Sequence, residues 1–434
     1  MTLTGIARGP APLAASSRAA AVDPPPAPPT SLYVHVPFCV SVCPYCDFVV
    51  VAGAAARGPR NRVGAFLVAL RHEIVLRADA LDARWGAPAA GPGRRPPLET
   101  LYVGGGTPSL LPSADVAGLI ELVRARFGLA DGAEITIEAN PGPDERGDAA
   151  ALAAAGVTRI SFGAQALDEP SLRRLGRRHA PADVAAAVAG ARASGVGSVN
   201  LDLLYDVPGQ SEAQFHATLE GALALEPDHL SLYALTLDDP DAEGLSGGDG
   251  DHLPVSSGAR RWRATARPEQ DDDRAAALYE HAAARLEAAG FEGYEISNWA
   301  RTGHESRHNR AYWERRPYEA VGPGAHAFDG ASRRWNAARL DRYVDALAPA
   351  AGSPGRLPPG GAEIVDEATA ASEAVILGLR LSRGVPIEAG RRPPLAGHLD
   401  WAIGAGLLRE TDAGRIALTT RGRLLSNELF ARLV

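Results

Sequence analysis

The sequence predicts an α/β protein, an incomplete (β/α)6 TIM-like barrel followed by a small winged-helix-like α+β domain. Two observations carry this. Short apolar runs alternate with helical stretches through the first half of the chain, and the pattern changes after the Pro- and Gly-rich stretch "APAAGSPGRLPPGGAE". Repeating β-α units imply a parallel sheet with right-handed crossovers.

In chain order, strands are expected at 32–36, 99–104, 134–139, 158–162, 198–204 and 229–235. Helices are expected between them at 61–79, 114–127, 147–155, 181–194 and 211–225. "ADVAAAVAGARASG" has helical spacing and a Gly stop, whereas "SVNLDLLYDVPG" is a short apolar run closed by Pro-Gly. Beyond the linker, "DEATAASEAVILGLRL" and "GHLDWAIGAGLLRE" read as helices, and "GRIALTTRGRLLSNELFARLV" as a strand, a turn and a final helix. The expected organisation is a disordered tail at 1–30, a barrel at 31–237, a low-complexity insertion at 238–273, a barrel completion at 274–350 and a C-terminal domain at 363–434. The insertion is expected to be mobile, with Trp262 docking locally.

Composition narrows the function. Apolar residues make up 46% of 434 residues, enough for a sizeable core, and the formal charge of −8 argues against a nucleic-acid partner. The chain has no Lys, so all 44 basic residues are Arg, which excludes Schiff-base chemistry and a P-loop lysine. The only methionine is Met1. No apolar run approaches the roughly 20 residues of a membrane span. The first 30 residues lack a signal-peptide core, so a cytoplasmic protein with reduced thiols is expected.

All three cysteines, Cys39, Cys43 and Cys46, lie in "YVHVPFCVSVCPYCDFVV". A disulfide would leave one thiol over. Zinc would need a fourth ligand, such as His35. A [4Fe–4S] cluster on three thiolates would leave one iron open to another ligand. After the second strand comes "GGGTPSL", whose Gly residues let backbone approach a ligand closely. Polar residues close successive strands: Glu138 in "EITIEANPG", Gln165 in "RISFGAQ" and Asp202 in "VNLDLLYDVPG". Each alone reads as a cap or a turn residue, but together they converge on one barrel mouth.

The cysteine spacing and the glycine strand edge resemble the radical S-adenosylmethionine superfamily. There the open iron takes the amino and carboxylate groups of the methionine part, and an aromatic residue at the place of Tyr45 packs on adenine. "YVHVPFC", "GGGTPS", "EANP", "SFGAQ", "LGRRHA" and "NLDLLYDVPGQ" further resemble oxygen-independent coproporphyrinogen III oxidases and their relatives. That resemblance covers about residues 31–434. It implies a [4Fe–4S] cluster on the three cysteines and an S-adenosylmethionine site of Tyr33, Tyr45, Gly105, Gly106, Thr107, Glu138, Gln165, Arg177, Asp202 and Thr236.

The oxidases carry a further Cys two positions after the third, where this chain has Phe48, and an N-terminal segment that is absent here. Both departures resemble the haem chaperones of the HemW family. So does "HNRAYW" at 308–313, a motif linked there to haem binding. The resemblance makes His308, Tyr312 and Trp313 haem-site residues. With the cysteines committed and Met unavailable, imidazole is the expected axial ligand, with His304 and His326 behind His308. Asp206 stands where the family commonly has Gly and is expected to alter only a turn. The implied function is a haem chaperone, using cluster and S-adenosylmethionine, that passes haem to an acceptor, with a membrane protein among the candidates. A flavodoxin or ferredoxin would supply electrons if S-adenosylmethionine is cleaved. The chaperone is monomeric or dimeric. The rival is radical decarboxylation of coproporphyrinogen III to protoporphyrinogen IX, and a third reading is a zinc-dependent binding module.

Overall fold

The computed structural model describes residues 26–89, 94–237, 250–348, 355–390 and 395–434. Six parallel strands form its centre, hydrogen-bonded in chain order: β1 (Ser31–Val36), β2 (Leu98–Gly105), β3 (Leu129–Ala139), β4 (Arg159–Gln165), β5 (Ser198–Tyr205) and β6 (His229–Ala234). Between them run α1 (Val63–Trp85), α2 (Ser113–Phe127), α3 (Ala149–Ala154), α4 (Glu169–Arg174), α5 (Pro181–Ala193) and α6 (Glu212–Ala224). Local chemistry starts these helices. Asp148 accepts from two backbone N–H groups of α3, Pro181 opens α5, and Ser211 with Gln214 forms a capping box on α6.

Parallel strands covered on both faces usually read as continuous apolar runs. Here the residues alternate. Leu32, Val34, Leu101, Val103, Ile137, Phe162, Leu201 and Leu232 are buried in the main core. The opposite face carries Tyr102, Glu138, Ser161, Asn200, Asp202 and Ser231, and register aligns Glu138 with Ser161, Asn200 and His229 across four strands. A buried polar face needs its own partners or a ligand, and this one surrounds a cavity.

The sheet continues past both ends of the six-strand unit. After α7 (Ser257–Ala266) and α8 (Asp272–Ala288) come the short strands β7 (Glu292–Gly293) and β8 (Asn298–Ala300); β8 adds antiparallel to β6, and β7 antiparallel to β8. Then come α9 (Arg307–Trp313), β9 (Tyr318–Val321), β10 (His326–Phe328), β11 (Ser332–Asn336), α10 (Leu340–Ala346) and β12 (Gly360–Ile364). β9 pairs parallel with β1, and the other three follow antiparallel, giving the order β12-β11-β10-β9-β1-β2-β3-β4-β5-β6-β8-β7. These flanking strands were not expected individually. They have two to five residues each, too few to show a period.

The C-terminal part has its own core of Val375, Leu379, Leu399, Leu408, Ile416 and Leu429. It runs α11 (Glu367–Arg380), β13 (Val385–Pro386), α12 (Ile387–Gly390), α13 (Ala396–Gly404), a hairpin of β14 (Leu408–Thr411) and β15 (Arg415–Leu418), then α14 (Thr420–Leu424) and α15 (Ser426–Phe430). Helices and a wing follow one another as expected, but residues 408–410, read as the end of a helix, lie in the first strand of the hairpin, the final helix is two short ones, and β13 and α12 were not expected.

Most of the expected tail, residues 1–25, and residues 238–249 of the expected insertion lie outside the described residues. The rest of the insertion differs from a mobile loop. Ser256 caps α7, and Trp262 packs beside Leu235, Leu237 and Tyr45. Among the described residues, no helix is long and apolar enough to cross a membrane.

Candidate functional site

The cysteines lie on the loop leaving β1. Its two ends are tied together: Cys39 N–H donates to the Val51 carbonyl at 3.0 Å, and Val51 N–H to the Pro37 carbonyl at 2.7 Å. The loop lies across the end of β2, and this explains the glycines. A Cβ on Gly106 would come within 2.7 Å of the Phe38 carbonyl oxygen, and one on Gly105, at φ 111°, would enter the His35 ring. The close approach expected of a ligand is thus made first by the protein itself.

Thr107 Oγ1 lies 3.5 Å from Cys39 Sγ, and Arg177 Nη1 lies 3.5 Å from Cys43 Sγ. Arg177 is fixed by the Gly163 carbonyl at 2.8 Å and by Asn140, whose amide reaches Thr107 Oγ1 at 3.1 Å. Burial pushes the free thiol of Cys39 up to about 11 and that of Cys46 up to about 12. Thiolates here need positive charge beside them, from Arg177 or from a bound metal. Among the described residues, no three His, Cys, Asp or Glu side chains group closely enough to hold a single metal ion.

A cavity of about 710 Å³ joins the loop to the polar sheet face. It brings together all three cysteines with Tyr45, Gly105, Gly106, Thr107, Glu138, Gln165, Arg177, Asp202 and Thr236. Glu138 accepts from Tyr102 Oη at 2.7 Å and from Gly105 N–H at 2.8 Å, yet burial still lifts its carboxyl to about 7. Asp202 accepts from Asn200 at 2.7 Å and Ser161 at 3.1 Å, and burial raises it too. Gln165 sits at φ 65°, the left-handed region, where β4 breaks register with β5.

Sequence reasoning missed Tyr102, Asn140, Asn200 and Arg263. The first and third were legible as neighbours of Glu138 and Asp202 on one alternating face. Arg263 was not, because it lies in the segment read as an insertion. It reaches the cysteine loop from α7, donating to Asp47 at 2.6 Å and to the carbonyls of Pro44 and Cys46 at 3.1 Å each.

Tyr33 does not join this cavity. β9 lies beside β1 with small Ala320 opposite Tyr33, whose ring packs among Ala320, Ala325 and Ala327. It lines a second, largely apolar cavity of about 530 Å³, together with Phe48, Tyr312, Trp313, Tyr318, His326 and Phe328. Asp47 and Phe48 line both cavities. His308 lines neither. It is 1% exposed, with Nδ1 2.7 Å from Thr100 Oγ1 and Nε2 2.8 Å from Tyr312 Oη, and burial lowers it to about 3. His304 also lies outside both, near Asp228. Asp206 does more than shape a turn: at φ 55° it accepts from Arg274 of α8 at 3.0 Å.

A parallel partial barrel with three loop cysteines at its mouth defines a class, and residues 33–222 match the family model described as the Radical SAM superfamily. "Heme chaperone HemW" of Mycobacterium tuberculosis (strain CDC 1551 / Oshkosh) is 38% identical over 95% of this chain and 96% of its own length. The protein of that name in Escherichia coli (strain K12) is 38% identical over 69% of this chain and 70% of its own length, and that in Bacillus subtilis (strain 168) 30% identical over 92% and 98%. The chain belongs to the HemW family. Coproporphyrinogen III oxidase (HemN) from Escherichia coli, a radical SAM enzyme, shares the fold, with a TM-score of 0.74 over 94% of this chain and 90% of that one at 24% identity. Membership of the superfamily implies a [4Fe–4S] cluster and S-adenosylmethionine, and the donor set at the larger cavity fits both.

Proposed function

We propose that this chain is a cytoplasmic haem chaperone that binds a [4Fe–4S] cluster, S-adenosylmethionine and haem, and hands haem to an acceptor protein. The observation that carries this reading is the relationship to heme chaperones across 95% of the chain. Phe48, at the position where the oxidases have a further Cys, supports it.

Cys39, Cys43 and Cys46 would hold the cluster, leaving one iron for the methionine end of S-adenosylmethionine. Glu138, Gln165, Arg177 and Asp202 would meet its polar groups, with Gly105, Gly106, Thr107 and Thr236 shaping the wall and Tyr45 facing the adenine. When bound, the pair supplies one-electron reduction of a sulfonium, with a flavodoxin or ferredoxin as the electron source. The protein's own part is to exclude water and to fix carboxylates and a guanidinium around a cationic ligand. Tyr312 and Trp313 would cover haem, and the acceptor is a protein that requires haem, in the cytoplasm or in a membrane.

Protein reconstituted anaerobically with iron and sulfide should bind about one haem per chain. It should form no protoporphyrinogen from coproporphyrinogen III under reducing conditions. Turnover of coproporphyrinogen III with cleavage of S-adenosylmethionine, and no haem binding, would assign the oxidase activity instead.

A further inference from the structure

The haem motif poses a problem. Its histidine is buried with both ring nitrogens engaged, so no lone pair of His308 faces a cavity. Its aromatic residues, by contrast, wall the second cavity. The opposite wall is the β9–β10–β11 face. On β10, His326 and Phe328 are two residues apart and project to the same side, about 7 Å from each other along the strand. Register places Trp335 opposite His326, and both Tyr318 and Arg333 opposite Phe328. One end of this face therefore carries imidazole and the other carries guanidinium and aromatic rings.

At the imidazole end, His326 does not stand alone. Asp251 holds His326 Nε2 at 2.8 Å and His252 Nδ1 at 3.0 Å, and both histidines line the cavity. A carboxylate on one ring nitrogen is the usual support of a metal-ligating imidazole. It fixes the ring and leaves the lone pair of the other nitrogen for the metal. At the far end, Arg315 is pinned over the Phe328 ring at 4.6 Å, and its Nε donates to Glu373 at 3.1 Å. Arg333 lines the cavity too and shares Glu373 with Arg315, so two guanidinium groups meet one cavity-lining carboxylate and an incoming carboxylate would find positive charge at this end. Between the two ends the lining is apolar and aromatic, with Phe48 unusually exposed at 68% for so large an apolar side chain. A flat apolar ring system with a metal at its centre and carboxylates on one edge matches this order of groups.

Resting on the haem-chaperone reading, we propose that haem lies in this second cavity, with its iron on one ring of the Asp251-bridged pair His252 and His326 and a propionate on Arg315. His308 is then a positioning residue. It fixes the Tyr312 hydroxyl and so holds the cavity wall, which explains why the motif contains a histidine that cannot reach the iron.

The test uses the full chain, titrated with haemin and with haemin dimethyl ester, which lacks free carboxylates. Axial ligation is followed by the Soret band and electron paramagnetic resonance. His252→Ala/His326→Ala should lose the imidazole signature and weaken haemin by at least about tenfold, and the two single variants identify which ring is the ligand. His308→Gln keeps a hydrogen-bonding side chain and should retain the wild-type axial signature. Arg315→Leu should weaken haemin but not the dimethyl ester. A double variant with the wild-type spectrum, or loss of the imidazole signature in His308→Gln with circular dichroism unchanged, overturns the assignment. Failure of the wild-type chain to bind haemin overturns the chaperone reading, and this assignment with it.

Discussion

Replacing Glu138 with Gln isolates one buried carboxyl whose energetic sign is unusual. A carboxylate paired or hydrogen-bonded at a surface is held below its ordinary range, but burial lifts Glu138 from 4.5 to about 7 despite its bonds from Tyr102 and Gly105. Its folded state therefore holds the proton more tightly than the unfolded chain does. The stabilisation is fully present below about pH 4.5 and is lost as pH rises through 7. For a shift of this size the loss between pH 5 and pH 8 amounts to about 2–3 kcal/mol. Glu138→Gln keeps the shape and cannot ionise. Its stability should therefore fall less than the wild type's over that interval, and the variant should be the more stable protein at pH 8. Urea unfolding of metal-free protein at pH 5, 6, 7 and 8 measures this, with the difference between the two proteins cancelling every other titrating group. The same variant should bind S-adenosylmethionine more weakly at pH 8, because the ligand's cationic groups lose a carboxylate. Parallel stability curves for the two proteins would refute the burial argument, since a carboxyl that titrates alike in both states contributes no slope.

Three further outcomes are expected. Cys39→Ala, Cys43→Ala and Cys46→Ala should each abolish or sharply lower the iron and sulfide retained after anaerobic reconstitution, and stoichiometric zinc without sulfide in wild-type protein would exclude the cluster. Arg263→Met should leave circular dichroism unchanged but speed loss of the cluster absorbance in air, because Asp47 and the Pro44 and Cys46 carbonyls lose their anchor; equal lifetimes would show that the loop holds itself. Glu73→Gln should destabilise the fold by about 3–5 kcal/mol in urea, since it leaves the Arg77 guanidinium buried without its carboxylate; a change below about 1 kcal/mol would mean that solvent reaches Arg77.

What the sequence disclosed depended on how many residues carried each signal. The six core strands were legible because apolar alternation, Gly stops and Pro-Gly turns agree over many positions. β7 and β10, of two and three residues, are defined by the edges they join and leave no such trace. The larger cavity was legible because Glu138 and Asp202 are carboxylates in otherwise apolar strands, a cost that announces a site. That Tyr33 lines the second cavity was not legible, because its surroundings depend on β9, nearly 300 positions later in the chain. The engagement of His308 could have been read: His308 and Tyr312 are four residues apart on a helix, a spacing that puts them on one face. Asp206 carried a different clue. A residue other than Gly at a left-handed position needs a reason, and the reason is Arg274, 68 positions away.

Cys46, Asp47 and Phe48 are consecutive, and each does something different. Cys46 faces the larger cavity, Asp47 is held by Arg263 and borders both cavities, and Phe48 extends into the second with 68% of its surface exposed. Covering a side chain of that size recovers about 1–2 kcal/mol of apolar stabilisation. Cargo lying in the second cavity would gain that contact directly. A Cys at position 48 would offer neither the area nor the ring, and would add a fourth thiol two residues from the third. Phe48 thus stands at the seam between the cavities, where its exposed ring would offer apolar area to a flat ligand beside the proposed cluster. Because Asp47 is pinned on one side by Arg263, a shift of Phe48 on cargo binding would bear on Cys46 through a single intervening residue. Asp47 and Phe48 also border both cavities themselves, so occupancy of one would be felt directly at the wall of the other.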